Sequence, residues 1–332
     1  MLKVPTYSNK HGNIPRVNAS SIEISLNKKK ENKVILIICD GMRADTAFQE
    51  FGYVNSLCDN TNIGVRLTSI VDNPSVSRTN YETLHTGVPA LVHGITSNLL
   101  ANKSKMERNI FSEVTKANKT TAVVGSSWFY DLYGKDKYLY LKHKEINKDD
   151  NEIITHGRFF SDDVPSEVDS SVEGLAHTFQ ISDFLLNKYH PDYLLIHVMT
   201  PDTVGHRDGV GKEYVKAVSH IDSVLGALVP RWLEMGYDIV ITSDHGMDMN
   251  DNHGGSKCEV MRAPLYILSK NGWKPNQITP TEAKHIDIAP MIIERILGNN
   301  SFATYRNKLL DDSGFHQSNK GCEHFGAFSA QR

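Results

Sequence analysis

Four cysteines in 332 residues, spread as Cys39, Cys58, Cys258 and Cys322, form no Cys-x-x-Cys pair. That excludes a zinc ribbon and supplies no disulfide framework. Cys39 lies in an apolar run, where a reduced, packed thiol is expected. Neither sign of charge dominates: 36 Lys and Arg face 39 Asp and Glu, net −3. An obligate nucleic-acid or anionic-membrane partner therefore has no electrostatic basis. No apolar run approaches the roughly 20 residues of a membrane span. Residues 1–30 are polar and end in Lys28-Lys29-Lys30, without the apolar centre of a secretory leader. A soluble, cytoplasmic protein is the expectation. There is no internal repeat and no low-complexity tract.

What the chain does have is a series of short, fully apolar runs. Val34 to Cys39, Thr120 to Val124, Tyr193 to Val198 and Asp238 to Thr242 are rich in β-branched residues, as suits strands covered on both faces. Helical periodicity falls between them, over Asn80 to Leu91, Met106 to Ala117, Val172 to Lys188, Lys212 to Met235 and Thr281 to Leu297. The alternation predicts an α/β fold, a mainly parallel central sheet with helices on both faces. Residues 31–298 form the expected catalytic domain, between a polar N-terminal extension over 1–30 and a tail over 299–332. Residues 129–171, rich in Tyr, Lys and Asp, break the rhythm and are expected to form a small lid-like insertion. Trp128, Tyr130, Tyr133 and His285 are its candidate pocket residues.

Three of the runs are followed at once by acidic residues. Asp40-Gly41 follows the first, Asp244-His245 the last, and Asp202 with His206 the run ending at Val198; His253 comes soon after on a glycine loop. Strand ends of a parallel sheet form the ligand crevice. Taken singly, each Asp would serve as a cap or turn residue. Together they would repel one another strongly unless divalent cations neutralise them. Carboxylate and imidazole without thiolate suit zinc, or manganese, better than calcium. Ser77 and Thr79 lie where Asp72 to Asn80 runs into a helix, and a hydroxyl at a helix start sits beside unpaired N–H groups that favour phosphate.

The set Asp40-Gly41, Ser77-Arg78-Thr79-Asn80, Thr86-Gly87, His93-Gly94-Ile95, Asp202 to His206, Ser243 to Met247 and His253-Gly254 resembles the alkaline phosphatase superfamily, in its type I phosphodiesterase and nucleotide pyrophosphatase branch. The likeness runs from about Val34 to Leu297. It implies one cation held by Asp202, His206 and His253, and a second held by Asp40, Asp244, His245 and the oxygen of Ser77. It implies Ser77 as nucleophile through a phosphoseryl intermediate, with Asn80 contacting a phosphoryl oxygen. Arg78 stands where that branch has an aromatic pocket residue; it would bind substrate or turn away to a neighbouring Asp. A small phosphate ester is the implied partner, cleaved by a diesterase or pyrophosphatase. A phosphomonoesterase or phosphonate hydrolase on the same metals is the alternative, and a non-catalytic metal-binding module the second. No Cys-x-Pro-x-Arg setting surrounds Ser77, which argues against a sulfatase. A membrane-anchored phosphoethanolamine transferase would need spanning helices, which this sequence lacks.

Overall fold

A computed structural model describes residues 32–148, 153–160, 172–276, 278 and 282–314. The expected N-terminal extension, the middle of the insertion and the end of the tail lie outside these. The described strands are β1 (Lys33–Cys39), β2 (Gly64–Ile70), β3 (Thr121–Ser126), β4 (Glu145–Ile146), β5 (His156–Phe160), β6 (Tyr193–Val198), β7 (Tyr237–Thr242), β8 (Arg262–Leu268) and β9 (Glu282–Lys284). The helices are α1 (Ala44–Glu50), α2 (Gly52–Asn60), α3 (Ser77–Thr86), α4 (Ala90–His93), α5 (Ile110–Lys116), α6 (Trp128–Tyr133), α7 (Tyr140–His143), α8 (Val172–Tyr189), α9 (Thr200–Asp208), α10 (Lys212–Glu234), α11 (His285–Leu297) and α12 (Ser301–Asp312).

The strands form one sheet in the order β4-β5-β3-β6-β1-β7-β8-β2-β9. β5, β3, β6, β1 and β7 run parallel, whereas β4 and β8 are antiparallel to their neighbours. Side-chain alternation explains why the central strands are apolar throughout. Ile35, Ile37 and Cys39 of β1 join one core with residues of α1, α2, α8 and α10. Val34, Leu36 and Ile38 join the other with residues of α3, α5 and α11. Both faces are covered, as expected.

The insertion departs from the lid expectation: its described part adds β4 and β5 to the edge of the sheet. Tyr130 and Tyr133 are buried in the core. His285 is likewise fully buried, 3.5 Å from the Asn80 side chain. The start of the tail forms α12, which buries Phe302 against the same core and so extends the domain beyond residue 298. No helix among the described residues is long and apolar enough to cross a membrane.

Candidate active site

The ligand-bearing segments leave β6, β1 and β7, three adjacent strands, at their carboxyl ends. Asp40 follows β1 directly, and Asp244 and His245 come just after β7. Asp202 and His206 sit four residues apart on α9, a spacing that puts both on one helix face. His253 lies on the loop between β7 and β8. Gly41 makes the convergence possible. Its φ is +66°, and a Cβ there would lie 2.8 Å from the Asp202 backbone, so only glycine allows the two loops to touch.

The expected metal ligands come together in two groups that meet at His245, whose ring nitrogen lies close to Asp202 and His253 as well as to Asp40 and Asp244. In one, His206 Nε2 lies 3.5 Å from Asp202 Oδ1 and 3.1 Å from His253 Nε2, and His253 Nε2 lies 3.7 Å from Asp202 Oδ1. In the other, His245 Nε2 lies 3.2 Å from Asp244 Oδ2 and 3.6 Å from Asp40 Oδ1. Ser77 Oγ is 3.2 Å from the same Nε2.

The hydrogen bonding of these groups fits divalent cations. His206, His245 and His253 each place Nδ1 against a backbone carbonyl, of Asp251, Gly246 and Ser75 respectively, at 2.9, 3.0 and 3.0 Å. A carbonyl can only accept, so Nδ1 carries the proton and every Nε2 presents a lone pair. Two such lone pairs face each other at 3.1 Å between His206 and His253. Asp40 Oδ1, Asp202 Oδ1 and Asp244 Oδ2 are buried without a hydrogen-bond partner. Lone pairs and orphaned carboxylate oxygens aimed at one another are unfavourable until a cation lies between them. Oxygen and imidazole donors without sulfur suit a divalent cation.

The electrostatics tell the same story. Burial raises the Asp40 carboxyl, but hydrogen bonding from His197, with the charges of His245 and His197 and the Tyr81 hydroxyl, brings it down to about 2. Burial and the Asp40 charge then drive Asp202 and Asp244 well above the usual carboxylate range. Three carboxyls this close cannot all ionise by themselves. Burial, with repulsion from His253, holds His245 at about 3, in the neutral form that ligates.

Ser77 is the first residue of α3 and is buried, which sets its hydroxyl at a helix N-terminus. Two neighbours do not take the parts expected of them. Asn80 Nδ2 donates to the carbonyls of Asp72, Pro74 and Val76 at 3.4, 3.3 and 3.3 Å, and Oδ1 accepts from the Asp72 N–H at 3.3 Å. Its carboxamide shapes the 72–76 turn and is not free for a phosphoryl oxygen. Arg78 is fully buried, and its Nη1 donates to the carbonyls of Leu99 and Asn102 at 2.7 and 3.1 Å. It binds neither an open pocket nor an Asp.

Three residues escaped the sequence reading. Asn98 accepts from the Arg78 N–H at 3.0 Å, one residue from Ser77, and its NH2 has no partner among the described residues. Tyr81 donates its hydroxyl to Asp40 Oδ2, which His197 Nε2 also approaches at 3.1 Å. The Ser126 N–H points at His197 Nδ1 at 3.5 Å, which leaves the proton on Nε2 to donate to Asp40. Signals existed: Tyr81 lies one helical turn beyond Ser77, and His197 is the one histidine in β6.

Comparison with known proteins agrees with this geometry. The type I phosphodiesterase / nucleotide pyrophosphatase family profile matches residues 34–283. GPI ethanolamine phosphate transferase 2 of Debaryomyces hansenii is 24% identical over 73% of this chain and 27% of its own length. The catalytic subunit of human GPI ethanolamine phosphate transferase 3 is 26% identical over 66% of this chain and 18% of its own. The chain thus spans about a quarter or less of these two relatives. Among solved structures, murine ectonucleotide pyrophosphatase / phosphodiesterase 5 superposes with a TM-score of 0.57 at 14% identity, over 83% of this chain and 99% of that one. This likeness concerns the fold. With the profile covering three-quarters of its length and the ligand groups gathered at one sheet edge, the chain belongs to the type I phosphodiesterase / nucleotide pyrophosphatase family.

Proposed function

We propose that this chain is a metal-dependent phosphodiesterase that works through Ser77. The observation that carries the reading is the set of orphaned carboxylate oxygens and facing imidazole lone pairs beside that hydroxyl. Asp202, His206 and His253 would hold one cation; Asp40, Asp244, His245 and Ser77 Oγ would hold the other. Zinc suits the donors best, with manganese second. When bound, such cations supply Lewis-acid polarisation and lower the pKa of a hydroxyl in contact with them.

The protein's own part is positional. Ser77 Oγ attacks phosphorus; the Ser77 O–P bond forms as the bond to the leaving alcohol breaks, giving a phosphoseryl intermediate. Water then cleaves that bond and returns the serine. The N-terminus of α3 favours the negative phosphoryl group. Asn98, whose Oδ1 accepts from the Arg78 N–H next to Ser77, would donate its NH2 to a non-bridging oxygen, the role expected of Asn80. Arg78 is committed to backbone carbonyls, so the extra positive charge that would favour a monoester is withdrawn from the site.

Rates on bis(p-nitrophenyl) phosphate and p-nitrophenyl phosphate, after loading with zinc or manganese, test the proposal. Ser77→Ala should abolish turnover and keep the metal content of the unmodified protein. Retention of most activity would remove Ser77 as nucleophile, and a faster monoester would reverse the substrate class. A second reading is favoured by the names of the curated relatives, which are transferases. The same phosphoseryl group could pass to an alcohol instead of water. Product analysis in excess ethanolamine separates the two.

A further inference from the structure

The segment from Thr96 to Lys105 has no helix or strand and buries no side chain. Leu99 and Leu100 are 67% and 47% exposed, so apolar burial does not hold it down. Its base is closed by the Lys105 N–H, which donates to the His93 carbonyl at 2.8 Å. Within it, Ser97 Oγ accepts from Asn102 Nδ2 at 2.7 Å. Just beyond the turn, Ser104 Oγ donates to Glu82 Oε1 of α3. Among the described residues, the remaining hydrogen bonds that fasten the 98–102 turn itself to the domain come from one residue. Arg78 gives its backbone N–H to Asn98 Oδ1 and its Nη1 to the carbonyls of Leu99 and Asn102.

That arrangement is expensive for a side chain with no exposure. Arg78 Nε and Nη2 have no partner, and neither does Glu82 Oε2 one helical turn further on. A buried guanidinium with two unused donors is unfavourable in itself, and an unbranched apolar residue of similar length would fill the space without that penalty. What such a residue could not do is hold the two carbonyls of Leu99 and Asn102, which lie between the anchors of the segment at Ser104 and Lys105 and its start. The turn carries Asn98, and Asn98 is useful only if its carboxamide stays within ångströms of its place.

We propose that Arg78 is a positioning residue that clamps the 98–102 turn onto the start of α3, and so fixes Asn98 beside Ser77. The proposal rests on the Ser77 reading above for its kinetic consequence, and on the contacts alone for its structural one.

A double-mutant cycle on bis(p-nitrophenyl) phosphate, with metal content and trypsin cleavage after the exposed Lys103 read in parallel, tests it. Asn98→Ala should lower kcat about 100-fold, the scale of one lost oxyanion donor. Arg78→Gln should lower kcat about tenfold, with KM and metal content little altered. The double variant should be no slower than Asn98→Ala alone, because Arg78 acts through Asn98. Arg78→Gln should also speed cleavage after Lys103 severalfold. Losses that multiply in the double variant, or cleavage unchanged by Arg78→Gln, would overturn the clamp. Should Arg78→Gln not fold, Arg78→Lys serves in the same cycle: one ammonium cannot span both carbonyls, and a partial loss that vanishes on the Asn98→Ala background is expected. If Ser77→Ala keeps its turnover, the kinetic arm fails with the Ser77 reading, whereas the cleavage arm still decides the clamp.

Discussion

Tyr81→Phe removes a single oxygen from a fully buried ring and leaves the packing intact. That oxygen donates to Asp40 Oδ2, and His197 Nε2 lies 2.8 Å from the same hydroxyl and 3.1 Å from Asp40 Oδ2, so its proton is shared between them. Together they occupy Oδ2 and leave Oδ1 as the free, cation-facing atom. Without the tyrosine the carboxylate keeps one donor and gains freedom to rotate. Loss of a hydrogen bond to a charged group costs ~1.5–3 kcal/mol, and loss of an outer-shell partner typically weakens metal binding about 10–100-fold. The two scales agree, since a tenfold change is about 1.4 kcal/mol. Competition against a chelator of known affinity should therefore show one of two ions loosened by about 10–100-fold, with the other unchanged. Thermal unfolding in EDTA should show a loss of about 1–3 kcal/mol, because the bond exists in the metal-free protein too. Metal affinity equal to that of the unmodified protein would refute the reasoning and reduce Tyr81 to a core residue.

Asp244→Asn should behave in the opposite sense without metal. The amide keeps an acceptor for the Gly41 N–H, relieves repulsion from Asp40 and Asp202, and offers a donor to His245 Nε2, so the melting temperature in EDTA should rise by a few degrees. The zinc-induced gain in melting temperature should be lost at the same time, and calorimetry with and without metal checks both. Away from the candidate metal site, burial raises the Glu82 carboxyl from 4.5 to about 7, against the hydrogen bond from Ser104 and the charge of Arg78. An acid raised in the folded state binds its proton more tightly there than in the unfolded chain. Its contribution is complete below the unfolded pKa and is lost as pH rises through about 7. Glu82→Gln should abolish that slope between pH 4.5 and 7, worth up to ~3 kcal/mol at neutral pH, as urea unfolding at several pH values would show.

Much of this was legible in the chain. Strands β1, β6 and β7 announce themselves because burial on both faces demands unbroken apolar runs, and the ligands announce themselves because each follows such a run. β2 and β8 do not: Arg66 interrupts one and Pro264 the other, and their antiparallel pairing needs no such apolar continuity. The nucleophile's register could be read from Ser77, yet the roles of Asn80 and Arg78 could not. Asn80 is spent on the turn before α3, while its expected job falls to Asn98, about twenty positions on in an irregular loop. Local sequence cannot say where a side chain points. Arg78 reads as a cation for substrate or for a neighbouring Asp, and only tertiary context shows that it is enclosed against backbone carbonyls.

The order of the sheet has a consequence for the nascent chain. β1 is the first described strand to leave the ribosome, yet it ends between β6 and β7. Its hydrogen-bonding partners, Tyr193 onward and Tyr237 onward, are made much later. Six wholly apolar residues, Val34 to Cys39, must wait with both edges unpaired until β6 and β7 have been made. Such delayed long-range pairing is slow and invites wrong partners. Production of this protein should thus depend on chaperone shielding of β1 until β6 and β7 follow.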